Sequence, residues 1–391
     1  MDVLAPLSLV AAPARFGGTV QGDCLRGQPV IRNGALVALD PPTGGDAQVI
    51  LPRLIEPHCH LDKCHTITRL GQVGGDLHHA IASQYADKVH WDAQDIETRA
   101  RQGLAEAQVN GCAHIRSHVD WGDTAAPPLA WSVLTELAQD HPGLQLAALI
   151  GIEQWADPGF ADAVGATLAR TGGVAGAFVH GHDGAPDGVR AMFDTANRHG
   201  LMLDFHVDEG LGDLSGLEMI ADIALATGCD RPILCGHCVS LMDRGPDAVE
   251  RIADKLVQAR IAVCALPVTN LYLQGRGTGT PDRRGITRMR ELRAAGVPVI
   301  VGSDNVADAF CPIGAHDPRA ALGLACLTAH LDPPLGDWLP AITTDAARAI
   351  GVAPTPLDGA AIKDVMICDA AHTADLISGR APLRPATETL T

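Results

Sequence analysis

From residue 49 onward, short apolar runs alternate with amphipathic stretches. The runs read VILPRLI, CAHIRSHV, LQLAALIGI, VAGAFV, LMLDFHV, RPILCGHCV, IAVCALPV and VPVIVGSD, eight in all. They are rich in Val, Ile, Leu and Ala rather than alternating with polar residues, which is the pattern of parallel strands covered on both faces. The stretches between them have helical period. In DAQDIETRARQGLAEAQVNG, Asp92 stands at the N-cap position, Ile96, Ala100, Leu104 and Ala107 share one face, and Gly111 follows the exit. Eight β/α units predict an α/β fold, a (β/α)8 TIM barrel over residues 49–351.

Two pieces lie outside that alternation. Residues 1–48 read as short strands with turns, and residues 352–391 read the same way. Their shared character predicts one small β-sandwich domain assembled from both termini, beside the catalytic barrel.

Composition narrows the function. With 46 acidic against 29 basic residues the formal charge is −17, and no basic cluster is interleaved with aromatics, so nucleic acid is not an expected partner. No apolar run reaches the ~20 residues that span a bilayer, so no membrane association is expected. Asp2 stands where a secretory leader carries Lys or Arg. Eleven cysteines, an odd number mostly inside apolar runs, fit a reducing cytoplasm.

In a barrel of this kind chemistry sits at the C-terminal ends of the strands. Those ends carry His58 and His60, His118 and Asp120, Glu153 and Gln154, His180 and His182, His206 with Asp208 and Glu209, His237, and Asp304 with Asn305. Any one of these is unremarkable as a hydrogen-bonded strand end; all facing one mouth is not. Residues i and i+2 of a strand share a face, so the imidazoles of His58 and His60 can reach one metal ion. A third imidazole from His206 and a carboxylate from Asp304 complete a three-nitrogen, one-oxygen set that suits Zn or Fe(II). Glu209, three residues past His206, is placed to shuttle protons, although a helix-start carboxylate would also stand there. His237 is placed to stabilise developing charge. The CGHC run at Cys235 and Cys238 has redox spacing, but it ends a barrel strand with no helix N-terminus directly after its first Cys, and a redox role is not expected.

The segments EPHCHLDK, HIRSHVD, DFHVDE, NLYLQGRGTGTPDRRGITRMRELRAAGV and GSDNVADAFCPIG resemble, in the same order, those of the amidohydrolase superfamily, and within it the bacterial cytosine deaminase branch. The resemblance covers about residues 50 to 350. It implies a barrel flanked by a small β-sandwich, and one divalent metal ion per chain, Zn or Fe(II). By position it makes His58, His60, His206 and Asp304 the metal ligands, Glu209 the proton shuttle and His237 the histidine that orients the attacking hydroxide. Asp304 doubles as the acceptor of the water's proton. Gln154 matches the substrate-binding glutamine. The two-metal members of the superfamily use a carboxylated lysine at the end of strand four; the four lysines here, Lys63, Lys88, Lys255 and Lys363, all lie elsewhere.

Two departures bear on substrate. Asn305 stands where the branch has a second aspartate, exchanging an acceptor for an amide that also donates. Phe310 replaces a tryptophan, keeping a flat apolar wall without the indole N–H. The resemblance therefore implies hydrolytic deamination, with release of ammonia, of a heterocycle such as cytosine, isocytosine or a similar aminopyrimidine. Lys63 in HLDK resembles the aminotriazine hydrolases of the same branch, so removal of an amine or alkylamine from a triazine is the alternative. A barrel that only binds its ligand is the reading of another class; its mark would be a missing ligand, and here the set is complete. The expected partner is a small heterocyclic molecule, and the outer helices leave room for a homo-oligomer.

Overall fold

The stretch VILPRLI, read above as one strand, is two. In the computed structural model, which describes every residue except Gln72, 180–184, Thr278, Asp282 and Thr391, strand Ala47–Pro52 belongs to one sheet and strand Leu54–Cys59 to another, with Arg53 between them. Residues 49–52 and 54–59 are all buried, so buried chain continues on both sides of the change of sheet, with only the half-buried Arg53 between. Pro52 has no N–H to give a ladder, and Arg53 N–H bonds instead to the carbonyl of Asp364.

Strand Leu54–Cys59 is the first of eight parallel strands, followed by Cys112–Asp120, Leu144–Gly151, Ala175–Val179, Leu203–Val207, Ile233–His237, Ile261–Ala265 and Val299–Val301. Each pairs with its neighbours in chain order. The eighth returns to the first through a parallel bridge between Cys59 and Asp304, sealed by the Asp304 N–H to His58 carbonyl bond of 2.9 Å. The expected (β/α)8 barrel is thus present, with all eight runs contributing.

Helices cover the outside for the reasons their sequences give. In Ala93–Val109 the Asp92 side chain accepts from Asp95 N, and Ile96, Ala100, Leu104 and Ala107 are buried. Each fully buried Leu or Ile contributes about 2 kcal/mol by removal from water. Gly111 then takes φ +88°, a left-handed conformation that ends the helix and starts the second strand.

Both ends of the chain meet in a seven-stranded sheet. Strands Asp2–Pro6, Thr19–Gln21, Cys24–Arg32, Ala35–Asp40 and Ala47–Pro52 come from the start, and Val365–Cys368 and Leu383–Pro385 from the end. The C-terminal pair joins through the antiparallel register of Val365 with Pro52 and Cys368 with Val49. This separate sheet leads directly into the first barrel strand and so fixes where His58 and His60 emerge.

Below the mouth, the barrel interior holds a charged pair. Arg116, 1% exposed, donates to Asp204 Oδ2 at 2.9 Å, to Gln145 Oε1 and to the carbonyl of Ile350, while Asp204 Oδ1 lies 3.0 Å from His118 Nε2. A buried ion pair is costly unless the remaining donors of its guanidinium are met, as Gln145 and Ile350 meet those of Arg116 here.

Candidate functional site

Three imidazole nitrogens converge at the C-terminal mouth. His58 Nε2 lies 3.1 Å from His206 Nε2, which lies 3.3 Å from His60 Nε2. Asp304 Oδ1 sits 3.2 Å from His60 Nε2 and 3.6 Å from His58 Nε2. All four side chains are buried. Neither Asp304 oxygen has a hydrogen-bond partner among the described residues, so these are approaches without donor geometry.

The electrostatics explain what such a cluster needs. Burial, reinforced by the neighbouring imidazoles, holds His58 and His206 well below the usual histidine pKa. Burial and the Lys63 charge push His60 down to about 4. Burial opposes ionisation of Asp304, but His60 and His237 outweigh it and hold this carboxyl below its ordinary value. Three imidazoles held neutral and one carboxylate therefore face one point, where each imidazole in its Nδ1–H tautomer offers an Nε2 lone pair. A divalent cation satisfies all four at once, and nitrogen with carboxylate oxygen is the donor set of Zn or Fe(II). His118 belongs to the same cluster, its ring 4.0 Å from that of His58, but its Nε2 is turned to Asp204.

His237 ends the sixth strand at φ +68°. Its Nδ1 donates to Asn270 Oδ1 at 2.9 Å, which fixes the tautomer and leaves Nε2 as an acceptor 3.5 Å from Glu209 Oε2. Asp208, at φ +52°, caps the next helix, accepting from Gly216 N at 2.9 Å and Leu217 N at 3.0 Å. The helix-start role is therefore filled by Asp208, not by Glu209. Gln274 Nε2 donates to the Glu209 carbonyl at 2.6 Å, and the Glu209 side chain, 5% exposed, enters the cavity. Burial, with the Asp304 charge adding, pushes its carboxyl up to about 7, poised to give and take a proton near neutrality. Left-handed backbone at Asp208, His237 and Asp304, none of them glycine, concentrates strain at the ends of three strands of this one mouth.

The cavity above the cluster has a volume of about 250 Å³. Lys63, Asn305, Phe310 and the helix Leu77–Asp87 form its walls. Lys63 Nζ lies 2.6 Å from Asp120 Oδ1 and 5.2 Å from the centre of the Phe310 ring, and Lys88 Nζ lies 3.0 Å from Asp120 Oδ2. Burial opposes charge on both partners, yet the pairing wins: Asp120 and Asp62 raise Lys63, and Lys63 with Lys88 holds Asp120 well below the carboxylate range.

The remaining candidates from the sequence divide. Phe310 and Asn305 line the cavity, but Asn305 Nδ2 donates to Asp308 Oδ2 at 2.7 Å, so one of its amide protons holds a loop instead of facing a ligand. Asp308 also accepts from the N–H groups of Phe310 and Cys311, which seats the Phe310 ring. Gln154 does not line the cavity; its Nε2 donates at 3.3 Å to the Gly122 carbonyl and to Asp123 Oδ1. Glu153 is exposed. His180 and His182 lie outside the described residues. Cys235 and Cys238 are free thiols that burial holds well above the usual thiol pKa, without thiolate character. Gln84, which nothing in the sequence singled out, is 2% exposed and lines the cavity; its only signal was a polar residue on the apolar face of a short helix.

Comparison with known proteins gives three results. The sequence profile of the amidohydrolase family matches residues 75–354. The pterin deaminase of Rhizobium rhizogenes is 31% identical over 311 residues, 78% of this chain and 70% of its own. Among solved structures, the 5-methylcytosine deaminase of Klebsiella pneumoniae bound to 5-fluorocytosine superposes with a TM-score of 0.79 at 22% identity, covering 98% of this chain and 94% of that one. The N-isopropylammelide isopropylaminohydrolase of Burkholderia multivorans gives 0.73 at 22%, covering 99% and 97%. At these identities the structural likenesses speak to the fold.

Proposed function

We propose, from the premise that the chain belongs to the amidohydrolase family, that it is a metal-dependent hydrolytic deaminase of an amino-substituted nitrogen heterocycle. The observation that carries this reading is the meeting of three Nε2 atoms and a carboxylate oxygen within 3.1 to 3.6 Å, beside a buried acid with a pKa of about 7. His58, His60, His206 and Asp304 would hold one divalent ion, Zn or Fe(II). When bound, that ion supplies Lewis-acid polarisation and makes water acidic enough to attack at neutral pH.

The chain's own groups do the rest. Asp304 takes a proton from the attacking water. Glu209 delivers one to the ring nitrogen next to the amino-bearing carbon, which makes that carbon electrophilic. His237 Nε2, left as an acceptor by the Nδ1–H bond to Asn270, orients the attacking water by accepting a hydrogen bond from it. A C–O bond forms, the C–N bond to the exocyclic amine breaks, and the amine leaves as ammonia after protonation. One water is consumed for each ammonia released.

For the ring we favour a 2-amino-4-oxo pyrimidine pattern, that of isocytosine. The Rhizobium relative is a pterin deaminase, and the pyrimidine half of pterin bears the same substituents. A second reading rests on Lys63 at the cavity wall: an aminotriazine from which the same steps release an amine or alkylamine. The test is ammonia release by the metal-loaded protein from cytosine, isocytosine, pterin and aminotriazines, with Glu209→Gln as control. Release from one ring, lost in the control, supports the proposal. An alkylamine product in place of ammonia selects the second reading, and no amine from any ring with metal bound overturns both.

A further inference from the structure

Gln84 is the unexplained group in the cavity wall. The helix Leu77–Asp87 turns Leu77, Ala80 and Gln84 inward at i, i+3 and i+7, one helical face. Leu77 and Ala80 pack with Leu273 against Phe178, Tyr272 and Phe310. Gln84, one turn further on, meets the cavity, and neither its Nε2 nor its Oε1 has a hydrogen-bond partner among the described residues. A buried carboxamide with both ends unpaired is costly, and native structures keep such a group where something outside the chain completes it.

We propose that Gln84 is a specificity-determining residue that reads the lactam edge of the substrate, the ring N–H next to the ring carbonyl. This rests on the deaminase reading above and narrows it. A primary carboxamide presents an acceptor and a donor side by side in one plane, and its complement is a donor beside an acceptor, which a lactam supplies as two parallel hydrogen bonds. The amine-bearing carbon must face Glu209 and the histidine cluster, so the edge left for the wall is the one carrying the oxo group. The other amides described near the mouth are engaged: Gln154 with Gly122 and Asp123, Asn305 with Asp308, Gln274 with the Glu209 carbonyl, and Asn270 through its Oδ1 with His237. The cation that would sit near a ring oxygen, Lys63, is held in the same cavity by Asp120. An oxo-substituted ring is thereby favoured over a fully amino-substituted one.

The test compares rings with and without the lactam in the full, metal-loaded chain. Ammonia release is measured for isocytosine and 2-aminopyrimidine, and calorimetric binding for uracil and pyrimidine, in the wild type, Gln84→Leu and Gln84→Asn. In Gln84→Leu the preference of kcat/KM for isocytosine over 2-aminopyrimidine, and of binding for uracil over pyrimidine, should each fall about ten- to a hundredfold, the worth of two neutral hydrogen bonds. Gln84→Asn, which keeps the amide, should recover part of both. Metal content and circular dichroism equal to wild type show that the variants fold. Preferences unchanged in a folded Gln84→Leu, or an equal loss for both rings, would overturn the proposal. If the wild type releases ammonia from neither ring, the isocytosine pattern fails, and the uracil-to-pyrimidine binding ratio still decides the role of Gln84.

Discussion

The Asp304 N–H donates to the His58 carbonyl at 2.9 Å, while the Asp304 carboxylate faces His58 Nε2 at 3.6 Å. The seam that closes the barrel and the meeting of the ion-facing groups are one contact. A cation bound there ties the eighth strand to the first. Removing it by chelation should lower the Tm by several degrees, reversed by adding back Zn or Fe(II); at a thousandfold excess over Kd such binding is worth about 4 kcal/mol. Elemental analysis should find one ion per chain, falling well below half in His206→Ala. A Tm indifferent to chelation would remove the ion from the seam.

On the mechanism proposed above, Glu209 governs the alkaline side of the pH profile. Its carboxyl, raised by burial to about 7, serves as an acid only while protonated. Activity should therefore hold below about pH 7 and fall above it by about tenfold per unit in kcat/KM. Glu209→Gln should lower turnover by about 10² to 10⁴ and erase that limb while keeping the metal. The same sign governs stability: a folded pKa above the unfolded value stabilises most at low pH, and this contribution fades as pH climbs from about 4.5 through about 7.

Its neighbour does a different job. Asp208 caps the helix Gly216–Thr227 with two backbone hydrogen bonds. Asp208→Ala should cost about 1 kcal/mol or somewhat more in denaturant unfolding, with metal content unchanged. Loss of metal in that variant would show that the strand end depends on the cap.

Asn305→Asp would restore the aspartate of the cytosine deaminase branch at the expense of the amide donor that now bonds Asp308 Oδ2 at 2.7 Å. Burial already pushes Asp308 up to about 7, and a second carboxylate beside it adds like charge. Thermal unfolding should show a loss of about 1 to 3 kcal/mol, and KM should rise as the Phe310 loop loosens. Adding Asp308→Asn should recover most of the stability; a double variant no better than the single one would refute the coupling.

Much of this was legible in the sequence for a physical reason. Parallel strands covered on both faces read as apolar runs, and the polar residues at their ends are conspicuous against them, so His58, His60, His206, Glu209, His237 and Asp304 all stood out and all meet at one mouth. What stayed hidden was direction and partnership. Gln154 does follow its strand, but its side chain turns to Gly122 and Asp123. Asn305 is in the cavity, but its donor goes to a residue three positions on. The break at Arg53 left no mark because both sheets bury their strands equally. Gln84 looked like one more polar residue of a helix until the fold aimed it inward.

The wall that carries Gln84 comes from the single helix Leu77–Asp87, whereas the histidines and acids stand on strand ends anchored in the barrel. On the proposals above, the part of selectivity that Gln84 carries is therefore written on a stretch of chain separate from the reaction centre. A lineage can exchange the helix and change its diet while the reaction centre is passed down intact, and grafting residues 77–87 between relatives is the laboratory version of that inheritance.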